Sequence, residues 1–307
     1  MRHSTTRRRF LTILASSAAC AALPAQAREQ HSWTGRAMGA EARLTISGAM
    51  SARDARAVFR AVEHELARLE RVFSLYRSES QIVQLNDTGV LKFPAPELLD
   101  VLSLCGVLND ASGGAFDPTV QPLWLGHAKA TTQNRALSAS EEAALRDAIG
   151  WKSLRFDASE VRFERSGGAL TLNGVAQGYV SDRIAALLRA RGLSDVLVDM
   201  GEISAGGQTG WPVGIATPQG AIVERITLSD RGLATSAPMG TLLAPERGLG
   251  HILDPRKTGD ALHSLVSVSA PSAALADGLS TAFCLMPKPA ITTALARFPD
   301  ARVEALT

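Results

Sequence analysis

In the stretch APSAALADGLSTAF, Asp277 and Thr281 stand four residues apart. On a helix that spacing stacks their side chains on one stripe, while Leu275, Leu279, Phe283 and Met286 fall on another. A carboxylate and a hydroxyl on an otherwise apolar helix suit a hard cation. The competing reading is that Thr281 bonds back to the carbonyl of residue 277 and Asp277 faces water. His251 opens the turn-rich run HILDPRKTG. An imidazole close to an acid, here Asp254, can serve as a general base, because its ordinary pKa lies near neutrality. Asp254-Pro255 would start a turn whatever the function. In GGAFDPTVQPLW, Asp117-Pro118 fixes another turn, with Asp117 either a ligand contact or a cap. TLNGVAQGY (residues 171–179) leads into a helix, with Gly174 and Gly178 leaving the main chain open to a ligand. A helix start offers N–H groups and a positive dipole end, yet this loop has no Lys, and no acid before Asp182.

Those residues need elements to hold them. Met38–Gly48 alternates apolar and polar residues and predicts a strand. Ser51 with Asp54 opens a helix whose apolar positions Val58, Phe59, Val62, Leu66, Leu69 and Phe73 recur at helical spacing. FSLYRSESQIVQLN reads as a loop with a short turn. Pro96 starts a helix packing Leu98, Leu99, Leu102 and Cys105 that ends at Gly113-Gly114. AFDPTVQPLW reads as a loop punctuated by proline. Ser138 with Glu141 predicts a capping box and a short helix stopping at Gly150. VRFER and ALTLN predict a hairpin across Ser-Gly-Gly. A helix follows with Val180, Ile184, Leu187 and Leu188 on one face, then strands in VLVDMG, WPVGIATP, AIVERITLS, GLATSAP and LVSVSAPS, and a last helix from Ala273 to Met286. Strands and helices mix without strict alternation. That predicts an α+β fold: one compact domain with a central mixed or antiparallel sheet flanked by helices.

Composition narrows the function. The chain has 307 residues, 46% hydrophobic and 20% charged, within the ordinary globular range. Aromatic residues, at 5%, are too few for a surface that stacks single-stranded nucleic acid. Residues 1–27 have a basic start, an apolar stretch from Phe10 to about Leu23 and a small-x-small end at Ala25-Gln26-Ala27. The run TRRRFL resembles a twin-arginine export signal. The functional domain is therefore expected over 28–307, and the protein in the periplasm. Residues 1–27 carry four Arg and no acid, so the remainder has a net charge of −2 against +2 for the whole chain. No electrostatic case for nucleic acid remains. No later stretch reaches the ~20 apolar residues of a membrane span, so no stable membrane insertion is expected after signal removal. Cys105 and Cys284 lie among apolar neighbours and read as small buried hydrophobes.

Taken with RAMGAEA, FSLYRSESQIVQLN, LVDMGE and LATSAP, these motifs resemble, in order and from Met38 to about Met286, the ApbE family of FAD:protein FMN transferases. The resemblance implies FAD as substrate and Mg²⁺ as cofactor. It implies transfer of the FMN half to a Thr or Ser hydroxyl of a partner flavoprotein, in a segment like Asp-Gly-x-(Ser/Thr)-Gly-Ala-(Ser/Thr), with release of AMP. It makes Asp277, Thr281 and the backbone carbonyl of Gly174 the metal ligands, and His251 the base for the acceptor hydroxyl. Met38 and Tyr76 are implied to pack on the flavin nucleotide, and Ala115, Phe116, Asp117, Thr171, Gln177 and Ile252 to contact FAD. The TLNGVAQGY wording and the export signal are similar to the NosX-like branch, which implies a NosR-like acceptor in a membrane electron-transfer system. Departures from the family pattern are Ala40 for Thr, Thr171 for Asp, Asn173 for Gly and Gln177 for Lys, with Ala274 where an acid is frequent. Two other readings stay open: a metal-dependent FAD pyrophosphatase with water as acceptor, and a non-catalytic exported FAD-binding protein.

Overall fold

A computed structural model describes residues 29–207, 210–256 and 259–307, so the expected export signal lies outside the described residues. Strands β1 (Gln30–Ala37) and β2 (Ala40–Ser47) form a hairpin turned by Met38 and Gly39, both at positive φ (52° and 85°). Such two-residue turns match the twist of the strands they join. The sequence predicts only β2; β1 is an edge strand, largely exposed, and lacks the apolar alternation that marks its partner. Helix α1 (Ala52–Phe73) starts where expected, with the Ser51 hydroxyl accepting from the Asp54 N–H. It buries Val62, Leu66, Leu69 and Phe73.

Helix α2 (Gln81–Thr88) replaces an expected loop. Ser80 caps its start, Gly89 at φ 76° ends it, and only Ile82 and Leu85 are buried, too few to register as a periodic face. Strand β3 (Val90–Lys92) and helix α3 (Pro96–Ala111) follow. A short 3₁₀ turn over Pro118–Val120 then runs into α4 (Gln121–Thr132), again where a loop is expected. The 3₁₀ turn begins at Pro118 and α4 has Pro122 at its second position, each tolerated because the missing N–H belongs to the first turn. Helix α5 (Ala139–Asp147) has the complete Ser138–Glu141 capping box. Strands β4 (Leu154–Phe156) and β5 (Glu160–Phe163) join β3 in a small sheet ordered β3-β5-β4.

The expected hairpin between VRFER and ALTLN does not form. Both flanks of β5 are taken by β3 and β4. Leu170 instead places its N–H and C=O on the side-chain amide of Asn86, at 2.7 and 2.9 Å. One amide thus stands in for a partner strand, and Leu170 and Leu172 are buried.

The remaining elements are α6 (Ala176–Arg189), β6 (Val196–Asp199), β7 (Ile203–Gly206), β8 (Trp211–Ala216), β9 (Ile222–Leu228), β10 (Arg231–Ser236), β11 (Leu242–Ala244), β12 (Leu249–Gly250), β13 (Val266–Ala270), α7 (Ala273–Phe283), α8 (Lys288–Leu295) and β14 (Arg302–Leu306). The central sheet has the order β1-β2-β6-β7-β10-β13-β14, with every neighbouring pair antiparallel. Helices α6 and α7 pack together, and α7 lies against β10 and β13. Leu44, Val198, Val268, Ile184, Leu279 and Phe283 belong to the main core. A second cluster, including Val213, Ile215, Leu228 and Leu233, joins the β8–β9 hairpin to the sheet. Cys105 and Cys284 are free thiols within the main core, as their neighbours suggest.

The α6–α7 contact is unusually close at Gly178, where an added Cβ would lie 2.3 Å from the Ala273 carbonyl oxygen. Gly178→Ala is expected to pry the helices apart and cost about 1–3 kcal/mol, as overpacking of a tight core does. A thermal melt reads this as a lowered Tm, and an unchanged Tm would refute the contact.

Candidate active site

A cavity of about 240 Å³ opens among the ends of these elements. Its walls come from the 115–118 and 171–174 loops, the start of α6, the β6–β7 turn, β8, the end of β10, the 251–253 loop and α7. The first two loops are tied together by the Thr171 N–H, which donates to the Pro118 carbonyl at 2.9 Å. Glu41, Asp117, Asp199, Glu202 and Asp277 all line the space, and among the described residues no Lys or Arg does.

Ten of the sequence-predicted residues meet here: Ala115, Phe116, Asp117, Thr171, Gly174, Gln177, His251, Ile252, Asp277 and Thr281. The three expected cation ligands come together. A Cβ on Gly174 would lie 2.8 Å from Thr281 Oγ1, so the loop passes directly over that hydroxyl. Asp277 is only 3% exposed, so it does not face bulk water. Its Oδ2 accepts from the Gly178 N–H at 3.2 Å, while no described residue bonds to Oδ1. Thr281 makes no back-bond to residue 277; Ser280 does, at 3.0 Å. The Thr281 hydroxyl instead lies 3.3 Å from Ser236 Oγ, beside the cavity.

Burial pushes the Asp277 carboxyl up to about 8, with nearby Asp182 adding to the rise against the Gly178 hydrogen bond. Glu202 is also raised well above the usual carboxylate range, by desolvation and then by the charges of Asp277 and Asp199. Its Oε2 accepts from the Thr235 N–H at 3.1 Å. Acids that crowd one another without a basic partner resist ionising until a cation joins them. Among the described residues, no cluster of three or more His, Cys, Asp or Glu has the geometry to enclose a metal by itself. Any cation here would thus share its coordination among one carboxylate, a hydroxyl, main chain and substrate, a donor set of oxygens that fits Mg²⁺.

His251 is oriented differently from the simple sequence expectation. Asp254 does not reach it; that carboxylate caps its own turn and pairs with Arg256 at 2.8 Å. His251 Nδ1 lies 3.0 Å from the Pro238 carbonyl oxygen and 3.2 Å from that of Thr241. Carbonyls only accept, so Nδ1 carries the proton and Nε2 is left as the basic atom. Burial holds the imidazole below its ordinary pKa, against the opposing effect of those carbonyls.

Asp117 lines the cavity, yet its oxygens are committed elsewhere. Oδ1 accepts from the Thr119 N–H and hydroxyl at 2.9 and 2.6 Å, and Oδ2 from the Trp151 N–H at 3.0 Å. It therefore caps the 3₁₀ turn and fixes the loop that presents Ala115 and Phe116. Gln177 sits against Gly201, where a Cβ would fall 2.4 Å from the Gln177 Nε2; Gly201 has φ 109°. Met38 and Tyr76 do not line this cavity. They stand together at the β1–β2 turn, with the Tyr76 ring 3.1 Å from where a Gly39 Cβ would be, and the Met38 N–H donates to Glu70 Oε1 at 3.1 Å. Nearby Glu41 does reach the cavity.

Sequence reasoning did not assign Asp199, Glu202, Thr235 or Ser236. The first two flank Gly201 at the end of a buried strand, and the latter two end another. Acids and hydroxyls gathered at apolar strand ends were the available signal.

A family model described as the ApbE family matches residues 38–307. A "FAD:protein FMN transferase" of Klebsiella pneumoniae is 25% identical over 278 residues, covering 82% of this chain and 77% of the relative. One of Treponema pallidum is 29% identical over 293 residues, covering 78% and 79%. The apo crystal structure of Pseudomonas stutzeri flavinyl transferase ApbE superposes with a TM-score of 0.75 at 26% identity, covering 88% of this chain and 89% of that one. With the family model spanning almost all of the described chain, and a solved relative sharing its architecture, this protein belongs to the ApbE family.

Proposed function

We propose that the protein is a flavin transferase that moves FMN from FAD to a Ser or Thr hydroxyl of an exported partner protein and releases AMP. One observation carries the reading: the acidic and basic side chains lining the cavity are five acids and one histidine, with no Lys or Arg among its described residues. A diphosphate cannot settle among carboxylates unless a cation comes with it. Asp277 Oδ1, the Thr281 hydroxyl and the Gly174 main chain are the groups that would hold Mg²⁺ there. Such an ion supplies charge neutralisation to the diphosphate, the main requirement of phosphoryl transfer.

The remaining work falls to this chain's own residues. At the start of α6 one N–H, that of Gln177, is left for a substrate phosphate. The N–H groups of Ala176, Gly178 and Tyr179 are bonded to Leu172 O, Asp277 Oδ2 and Val175 O, while that of Gln177 takes no described acceptor. His251 Nε2 accepts the proton of the acceptor hydroxyl. The hydroxyl oxygen forms a bond to the FMN phosphorus, and the bond from that phosphorus to the AMP oxygen breaks. Ala115, Phe116, Thr171, Gln177 and Ile252 shape the space for FAD, and Met38 and Tyr76 its approach near Glu41. The TRRRFL run, which resembles a twin-arginine signal, supports a periplasmic site of action. The NosX-like wording supports a NosR-like acceptor in a membrane electron-transfer system. Among the described residues no helix is long and apolar enough to cross a membrane.

The test combines the protein with FAD, Mg²⁺ and an acceptor domain carrying the Asp-Gly-x-(Ser/Thr)-Gly-Ala-(Ser/Thr) segment. Intact-mass spectrometry should show the acceptor gaining one FMN unit with stoichiometric AMP, and EDTA should abolish the gain. AMP and free FMN without acceptor modification would establish a pyrophosphatase. Bound, unconverted FAD would establish a carrier.

A further inference from the structure

Asp182 lies outside the cavity walls, yet it grips the helix from which Asp277 and Thr281 project. Its two oxygens accept from consecutive N–H groups at the start of α7: Oδ1 from Ala273 and Oδ2 from Ala274, both at 2.9 Å. The next N–H, of Leu275, goes to the Ser272 hydroxyl at 3.2 Å, and that of Ala276 to the Ser272 carbonyl at 3.1 Å. The N–H groups of the first three helical residues, which have no intrahelical partner, are thereby satisfied, and the regular helical ladder begins at Ala276. Helix α7 has no acid in its own first turn, so the carboxylate complementing its dipole comes from α6.

The placement of these bonds is as informative as their number. Gly178 and Asp182 are four apart on α6 and share a stripe. The Gly178 N–H binds the Asp277 carboxylate on α7, while the Asp182 carboxylate binds the N–H groups one turn before Asp277. The helices therefore exchange carboxylate–amide bonds in opposite directions, one turn apart. One rigid carboxylate meeting two adjacent N–H groups fixes both the rotation and the axial position of α7, and the close approach at Gly178 leaves little room for either to drift.

We propose that Asp182 is a positioning residue for the cation site, setting the register of α7 against α6 so that Asp277 and Thr281 meet the Gly174 loop. This rests on the cation reading above. The test titrates Mn²⁺ into full-length protein with FAD and follows free Mn²⁺ by electron paramagnetic resonance, comparing wild type with Asp182→Ala, Asp182→Asn, Ser272→Ala and Asp277→Ala. Loss of a residue that orients a ligand weakens metal binding by about 10–100-fold, and that range is expected for Asp182→Ala. Asp182→Asn, which keeps one acceptor oxygen and guards against a poorly folded Ala variant, should fall between it and wild type. Ser272→Ala removes the other cap of the same helix end and should lower Tm while leaving Mn²⁺ affinity within about twofold, short of the range for a lost orienting residue. Asp182 variants that bind Mn²⁺ like wild type, while Asp277→Ala does not, would overturn the positioning role and leave the cation site standing. Equal weakening by Ser272→Ala at equal loss of Tm would also overturn it, by reducing the role to helix stability. A wild type that binds no Mn²⁺ would remove both.

Discussion

Asp277→Asn is expected to lower FMN transfer by ~10³-fold, the scale of losing a charge-stabilising group in a desolvated site, without lowering the Tm of cation-free protein. The two halves of this expectation have separate causes. An amide oxygen can still accept from the Gly178 N–H, so the α6–α7 tie survives. The buried carboxylate is itself a burden on the fold, since the cavity gives it acidic company and no described basic partner. Keeping this carboxyl in the fold costs the free energy of holding it protonated or desolvated, and an amide avoids that cost while taking away the anionic donor proposed for the cation. Transfer kinetics beside a thermal melt without metal check both halves. A variant that still transfers FMN at wild-type rates would remove Asp277 from the site.

His251→Ala is the second large effect, with a loss of roughly 10²–10⁴-fold in transfer, the usual contribution of a positioned general base. Binding of FAD, followed by flavin fluorescence, should persist, because the loop's turn is held by Asp254 and Arg256 rather than by the imidazole. The pH profile of the wild type adds a sharper test. As the proposed base His251 acts as neutral imidazole, so the rate should fall as pH drops through the His251 pKa. Burial holds that pKa below its ordinary value, so the acid limb should lie below about 6.5, the unperturbed histidine value. Loss of that limb in His251→Ala, with the remaining slow rate flat in this range, assigns it. A limb at or above the ordinary value would contradict the buried, carbonyl-bound ring.

The pattern of agreement and surprise follows from which forces leave a trace in local sequence. Helices α1 and α5 were legible because Ser51 and Ser138 announce their caps and, for α1, because a periodic apolar face follows. Helix α2 was not, since it buries only Ile82 and Leu85 and owes its place to packing against α1 and β3. The ALTLN segment has the look of a strand, but its polar groups were claimed by Asn86, some eighty residues earlier in the chain. No reading of neighbours could have found that. The same holds for β1, a polar edge strand, and for β14, which closes the far side of the sheet beyond the last expected helix.

The site divides along the same line. The amino-acid order by itself determined that Asp277 and Thr281 share a helical stripe, that Gly174 opens the main chain before α6, and that a histidine sits in a turn-rich loop. Those are properties of spacing and residue type, set within a few positions. Gly178, expected to open the main chain as well, is instead buried in α6 against α7. Only the tertiary structure decided that Gly174 lies against Thr281, that His251 is aimed by the carbonyls of Pro238 and Thr241 rather than by Asp254, and that Glu202 and Asp199 join Asp277 in a cavity lined by no described Lys or Arg. Proton affinity and cation affinity depend on how much water is excluded and which charges are near in space, and strands far apart in the chain must pack before either is defined.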